Sequence, residues 1–84
     1  MTPDTLVPLY GFVRGDTLGL LVLVRSSDSI RTLAASLAQA AQVRVAPFAR
    51  PVVLSGARRL DPDSTVAAAG LTPLERVELV PEDT

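Results

Sequence analysis

The sequence has 84 residues, a net charge of -1 and 48% apolar residues, which predicts one folded domain over residues 1–84 and no basic surface for nucleic acid. It contains no cysteine and no histidine, and its eight cations are all arginines. These absences exclude disulfides, zinc–thiolate sites, histidine acid–base chemistry and lysine Schiff bases. The start lacks the pattern of a signal peptide, and the longest apolar run, Leu18–Val24, is too short to span a bilayer, so we expect a cytoplasmic protein.

The first half of the chain predicts a β-hairpin followed by a helix. Two apolar runs, Val7–Val13 and Leu18–Val24, flank Gly15-Asp16, and Gly-Asp between such runs is a hairpin signal. Apolar residues then recur at helical spacing over Ile30–Ala41. Ser29 directly precedes this stripe and is the predicted N-cap.

The second half predicts short elements joined by turns. The predicted order is a strand at Val52–Leu54, a turn at Ser55-Gly56, a short strand at Ala57–Leu60, a turn at Asp61–Ser64, a short helix at Thr65–Ala69 ended by Gly70, and a strand at Arg76–Val80. One amphipathic helix with these strands gives an α+β fold, a mixed four- to five-stranded sheet packed on one helix plus a short helix.

This order of elements resembles the β-grasp fold of ubiquitin-like proteins. SDSI at Ser27–Ile30 resembles the strand-to-helix turn of ubiquitin, and LSGARRLDPDSTVAAAGL at Leu54–Leu71 resembles the ubiquitin-like second half. The resemblance implies that Thr65 caps the short helix and that Leu71 fills the core. The sequence ends in PEDT rather than Gly-Gly, so we expect no conjugation or sulfur-carrier activity.

A narrower resemblance covers nearly the whole chain. PLYGFVRGDTLGLLVLV at Pro8–Val24, RVAP at Arg44–Pro47 and AGLTPLERVELV at Ala69–Val80 are similar to the γ subunit, or system protein B, of toluene monooxygenase hydroxylases. The resemblance implies a non-catalytic accessory subunit of a bacterial diiron monooxygenase that oxidises aromatic hydrocarbons. Such a subunit binds the large catalytic subunit and carries no iron or other cofactor.

The charged residues predict structure rather than chemistry. Asp61 and Asp63 bracket a proline, and the acidic series stops there, which fits a turn better than a calcium loop. Asp16 and Arg14 fit a solvated pair at the hairpin tip. Arg58-Arg59 on a short strand point to opposite faces, so they do not form a phosphate site.

The apolar pattern of the hairpin predicts a surface that binds protein. If Gly15-Asp16 is a two-residue turn with Val13 opposite Leu18, one face carries Val7, Leu9, Gly11, Val13, Leu18, Leu20, Val22 and Val24. The other face then carries Pro8, Tyr10, Phe12, Gly19, Leu21 and Leu23, extended by Val53 and, if Val77 and Leu79 point inward, by Val80. Because one helix covers one side of a sheet, we expect this second face to be exposed and apolar, as in binding surfaces. The predicted interface residues are Tyr10, Phe12, Arg14, Gly15, Asp16, Leu21, Leu23 and Val53.

Two alternatives stay open for this face. A one-residue change of register would turn Tyr10 and Phe12 inward, or the segment around Phe48 would cover them. The functional alternative is a free-standing ubiquitin-like adaptor, such as a secretion-system component, although PLYGFVRGDTLGL fits the monooxygenase family better. A small hydrolase would have only Ser, Thr and carboxylates for its chemistry.

Overall fold

The computed structural model describes residues 4–82, which form a five-stranded sheet and one helix. Asp83 and Thr84 of the terminal PEDT lie outside the described residues. The elements in chain order are β1 (Leu6–Val13), β2 (Gly19–Arg25), α1 (Ile30–Ala41), β3 (Pro51–Ser55), β4 (Arg58–Arg59) and β5 (Arg76–Pro81).

The strands lie in the order β2-β1-β5-β3-β4, and the sheet is mixed because β1 and β5 are parallel while the other pairs are antiparallel. The predicted α+β architecture is therefore confirmed. The hairpin register is also the predicted one, since Tyr10 lies opposite Leu21. The two-residue turn is wrong, because the ladder ends at Phe12 opposite Gly19 and a longer loop joins the strands. Leu18, which the two-residue turn placed on the inner face, is exposed in this loop.

The helix α1 begins at the predicted cap and covers one face of the sheet, called here the inner face. The Ser29 Oγ accepts a hydrogen bond from the Thr32 amide at 3.1 Å, which satisfies a donor that the first helical turn leaves unpaired. Ile30, Leu33 and Leu37 are fully buried, each stabilising the fold by roughly 1.5–3 kcal/mol. The strand residues that complete this core are Val7, Leu9, Val13, Val24, Val53, Val77 and Leu79.

The segment after β4 is a single helical turn, so the predicted short helix at Thr65–Ala69 is wrong as a regular element. The Thr65 Oγ1 accepts from the Ala68 amide at 3.0 Å, which is the predicted capping role. The turn closes as a Schellman motif: the Gly70 amide donates to Ala67 and the Leu71 amide to Val66. Gly70 has a φ of +76°, which glycine adopts without strain. Leu71 is then carried into the core, as predicted.

Gly11 sets the closest approach between the sheet and the helix. It lies in the middle of β1 on the inner face, and a Cβ built there would overlap the Cδ2 of Leu37. Because Leu37 is fully buried in the core, its side chain has little room to move. The absence of a side chain at Gly11 is therefore what allows α1 to sit on the hairpin.

We expect Gly11→Ala to lower the free energy of unfolding by about 1–3 kcal/mol, because an added methyl group overpacks this contact. Urea denaturation followed by far-UV circular dichroism measures the change. The control is Leu37→Val alone and together with Gly11→Ala. The double variant should cost less than the sum of the two single changes, since shortening Leu37 relieves the overlap. Additive costs would contradict this account of Gly11.

Candidate docking face

The face of the sheet away from α1, called the outer face, carries an apolar surface on β1 and β2. Four of its side chains are exposed: Leu6 by 60%, Tyr10 by 45%, Leu21 by 62% and Leu23 by 65%. Tyr10 lies opposite Leu21, and Leu23 lies opposite Pro8, so the side chains form one contiguous group across the two strands. We call these four residues, with Pro8 and Phe12, the docking face, after the protein-binding role that the sequence predicts for this surface.

The alternation of the strands explains this surface. β1 alternates buried residues on the inner face with outward residues, and the outward residues are apolar too. A half-solvated antiparallel strand normally places polar residues there. The two alternatives for this face are excluded, because the observed register directs Tyr10 outward and because Phe48 packs on the core side, in a pocket it shares with Val13 and Leu79.

Phe12 is half-buried, between Gly19 of β2 and Arg76 of β5. The ring is next to Gly19 on β2, where a Cβ would come within 3.0 Å of it. The guanidinium carbon of Arg76 lies 4.1 Å from the ring centroid, in cation–π geometry. Phe12 therefore forms the edge of the docking face toward β5, where the surface becomes charged.

The prediction that Val53 belongs to the interface is corrected by the structure. Val53 is 2% exposed and belongs to the core, because its partner in β5 is Leu79, which also points inward. Its neighbours Val52 and Leu54 take the outward positions of β3 and are half-buried. Val80 alternates outward from Leu79 but is 6% exposed. The exposed apolar surface is therefore confined to the β1–β2 half of the sheet.

Asp16 is a second correction, because its side chain is covered and paired with Arg44 rather than solvated beside Arg14. The Arg44 Nε lies 2.9 and 3.0 Å from the two carboxylate oxygens, and its Nη2 lies 2.9 Å from Oδ2. Only 1% of the Asp16 side chain is exposed. The Leu18 amide donates to the same carboxylate at 3.1 Å. Asp16 therefore holds the hairpin loop against the segment that follows α1.

Arg14 and Gly15 are exposed in this loop. Gly15 has a φ of +92°, which requires glycine or a strained residue. The predicted interface residues thus divide into two groups. Tyr10, Leu21 and Leu23, with Phe12 at the margin, come together on one surface. Arg14 and Gly15 lie at the end of the hairpin.

The other charged candidates have structural partners. The Asp61 carboxylate accepts from the Asp63 amide at 2.9 Å, and Ser64 donates to the Asp61 carbonyl, which is the predicted turn. Arg58 and Arg59 point to different partners, the Ala69 carbonyl and the Glu82 carboxylate. Residues 4–82 contain no group of three or more His, Cys, Asp or Glu side chains placed to hold a metal. In the same range no helix is long and apolar enough to cross a membrane.

Two exposed leucines near this surface were missed at the sequence level. Leu6 continues the outward alternation of Pro8 and Tyr10 by one step, and that spacing could have identified it. Leu74 is 55% exposed, and its amide donates to the Pro8 carbonyl at 2.6 Å. Its φ of +65° belongs to the turn before β5, and no signal in the sequence predicts a leucine in that conformation.

Comparison with known proteins identifies the family. The family model described as toluene-4-monooxygenase system protein B (TmoB) matches residues 6–80. The chain belongs to this family. In the solved toluene 4-monooxygenase HD complex with the inhibitor 4-bromobenzoate, one chain superposes with a TM-score of 0.86 at 29% identity, covering 93% of this chain and 100% of that chain. No curated protein matches the sequence.

Other solved structures show the fold of this TmoB-family chain. A Caldiarchaeum subterraneum ubiquitin superposes with a TM-score of 0.77 at 11% identity, covering 95% of this chain and 98% of that one. A protein designed on the basis of ubiquitin gives 0.74 at 23% identity, covering 88% and 85%. The predicted ubiquitin-like β-grasp fold and the predicted family are both confirmed.

The Asp16–Arg44 pair should make the stability of the TmoB-family chain depend on pH. The hydrogen bonds from Arg44 are the main reason that the pKa of Asp16 lies below its ordinary value of 3.8. A lowered carboxylate pKa stabilises the fold above the unfolded value, and this stabilisation is lost as the pH falls through the folded value. We expect Asp16→Asn to lower the melting temperature at pH 7, with the difference from the wild type closing as the pH falls below 3.8.

Differential scanning calorimetry between pH 7 and pH 2 measures this difference. The control is Asp63→Asn, which removes an ion pair whose two side chains are 67% and 78% exposed, and it should change the melting temperature little. A difference for Asp16→Asn that stays constant to pH 2 would rule out the carboxylate as its source.

Proposed function

We propose that this chain is the non-catalytic, ubiquitin-like γ-type subunit of a multicomponent bacterial diiron monooxygenase that oxidises toluene or related aromatic hydrocarbons. It acts by docking on the large catalytic subunit of the hydroxylase. Membership of the TmoB family supports this role. So does the likeness, at 29% identity, to a chain of the toluene 4-monooxygenase HD complex.

The observation that carries the proposal is the docking face. Leu21 and Leu23 are each more than 60% exposed, and they lie beside a half-exposed tyrosine on the strand paired with theirs. Contiguous exposed apolar surfaces on small domains mark contacts with other proteins, and tyrosine is enriched in such contacts. A partner covering this face would remove it from water, and the transfer free energy would favour binding by about 25 cal/mol for each Å² of apolar surface buried.

The hairpin loop contributes position rather than chemistry. Arg14 and Gly15 are exposed at the end of the hairpin and join the proposed contact. Asp16, which the sequence also placed in the contact, is turned inward onto Arg44. Its role in the proposal is to fix the loop so that the partner meets one conformation of it.

The oxidation chemistry is assigned to the partner. Diiron sites in helical bundles use Glu-x-x-His ligands, and this sequence has no histidine. The chain therefore binds no iron and no other cofactor in this proposal. It acts as one ubiquitin-like domain in the bacterial cytoplasm. The alternative of a free-standing adaptor for another protein is not favoured, because the family match and the similar solved chain both concern toluene monooxygenases.

A tagged chain, expressed with the other subunits of its hydroxylase, tests the proposal through the protein and iron content of the purified complex. We expect the wild type to recover a large iron-containing subunit in stoichiometric amount. Tyr10→Asp and Leu21→Asp should abolish recovery, because each places a charge in the apolar contact without reaching the core.

The matched control is Val43→Asp. Val43 is 81% exposed and lies two residues after α1, the helix that covers the opposite face of the sheet, so the same kind of substitution should leave binding unchanged. All three variants should keep the circular dichroism spectrum of the wild type. Unfolding by Tyr10→Asp or Leu21→Asp would place these residues in the core, and recovery of a membrane or signalling protein without iron would favour the adaptor.

A further inference from the structure

The two edges of the sheet differ in a way that the docking face does not explain. The edge strand β4 has two residues, both arginines, and such short, charged edges resist pairing with other chains. The opposite edge strand β2 has seven residues, and from Gly19 to Val24 it contains neither charge nor proline. This edge lacks the features that normally protect an exposed strand.

Hydrogen bonds of the neighbouring strand show which backbone groups of β2 point outward. In β1 the Tyr10 amide donates to the Glu75 carbonyl and the Arg14 amide to the Leu79 carbonyl. The backbone N–H and C=O groups of the even-numbered residues of β1 therefore point toward β5. The backbone groups of the odd-numbered residues of β1 point toward β2, where their hydrogen-bonding partners are the even-numbered Leu20, Val22 and Val24. The N–H and C=O groups that point away from the sheet belong to Gly19, Leu21 and Leu23.

The open stretch of this edge ends at Arg25. The Arg25 amide donates to the Asp28 carboxylate at 2.8 Å, and its carbonyl accepts from the Asp28 amide at 2.9 Å. None of the described residues makes a comparable bond to the outward groups of Gly19, Leu21 or Leu23. Every second residue of the edge thus offers one free backbone N–H donor and one free C=O acceptor, three of each in all. This is the spacing that an added strand needs.

The side chains around this edge favour an added strand, called here the guest, that carries no charge. Leu20 and Val22 point inward but are only half-buried, since α1 does not fully cover the edge strand. Leu21 and Leu23 are exposed on the outer side. A charged guest residue beside any of these four would lose water without gaining a partner.

We propose that β2 binds an extended, uncharged and apolar segment of the catalytic hydroxylase subunit by strand addition. This rests on the proposed function, and it specifies how the partner engages the same surface. Leu21 and Leu23 belong both to the docking face and to the edge, so a partner on the outer face reaches the edge without a gap. The guest strand bonds to Gly19, Leu21 and Leu23 and extends the sheet beyond β2.

Amide hydrogen exchange, measured residue by residue on the free chain and on the chain within its assembled hydroxylase, tests this inference. In the free chain the Leu20, Val22 and Val24 amides should exchange slowly, because they bond to β1, while those of Gly19, Leu21 and Leu23 exchange fast. In the complex the second set should slow by at least about tenfold, which corresponds to one hydrogen bond each.

Two variants at one position separate the backbone from the side chain. Leu21→Ala and Leu21→Pro both truncate the leucine, but proline also removes an amide that the fold itself does not use, as edge strands tolerate. Leu21→Pro should bind the hydroxylase roughly tenfold more weakly than Leu21→Ala. Both variants should keep the far-UV circular dichroism spectrum of the wild type, which reports that the strands are intact.

The outcomes distinguish this inference from the function on which it rests. Binding without new protection at Gly19, Leu21 and Leu23, or with equal affinities of the two variants, overturns strand addition and leaves the docking role standing. Failure of the wild type to bind the hydroxylase overturns both. Slow exchange at these amides in the free chain, together with a dimer in sedimentation, assigns the edge to a second copy and overturns the inference.

Discussion

A single 12-residue helix packs on one face of a five-stranded sheet, and the rest of this structure depends on that imbalance. The helix can lie close to β1 because Gly11 has no side chain to meet Leu37. The apolar stripe of the helix is buried against the inner face and covers no other surface of the sheet. No second helix among residues 4–82 covers the other side, so the apolar outward residues of the hairpin stay at the surface.

The pair between Asp16 and Arg44 links the two ends of this arrangement. Asp16 lies in the loop after β1, and Arg44 lies three residues beyond the end of α1. The bidentate geometry fixes orientation as well as distance. Two short motifs that look unrelated in the sequence, Gly-Asp in the hairpin and Arg-Val-Ala-Pro after the helix, therefore include the two partners of one contact.

Much of the fold could be predicted because its signals are local. The spacing from Ile30 to Ala41, the Ser29 cap and the alternation of the hairpin determine their elements directly. Pairing between distant segments carries no such signal. The face of Val53 depends on its register with β5, and the inward position of the Asp16 side chain depends on an arginine 28 residues away. The outward residues Tyr10, Leu21 and Leu23 were predictable because local alternation fixes them.

The position of Tyr10 has an optical consequence. It is the one tyrosine of a sequence without tryptophan, and it is half-exposed on the docking face rather than packed in the core. Because the two phenylalanines emit far more weakly, the near-ultraviolet emission of the chain comes mainly from this one ring on its outer surface. Unfolding changes the surroundings of that ring only in part, whereas a partner covering the face takes it out of water. The intrinsic fluorescence of this chain is thus a weak indicator of folding and a direct one of occupancy.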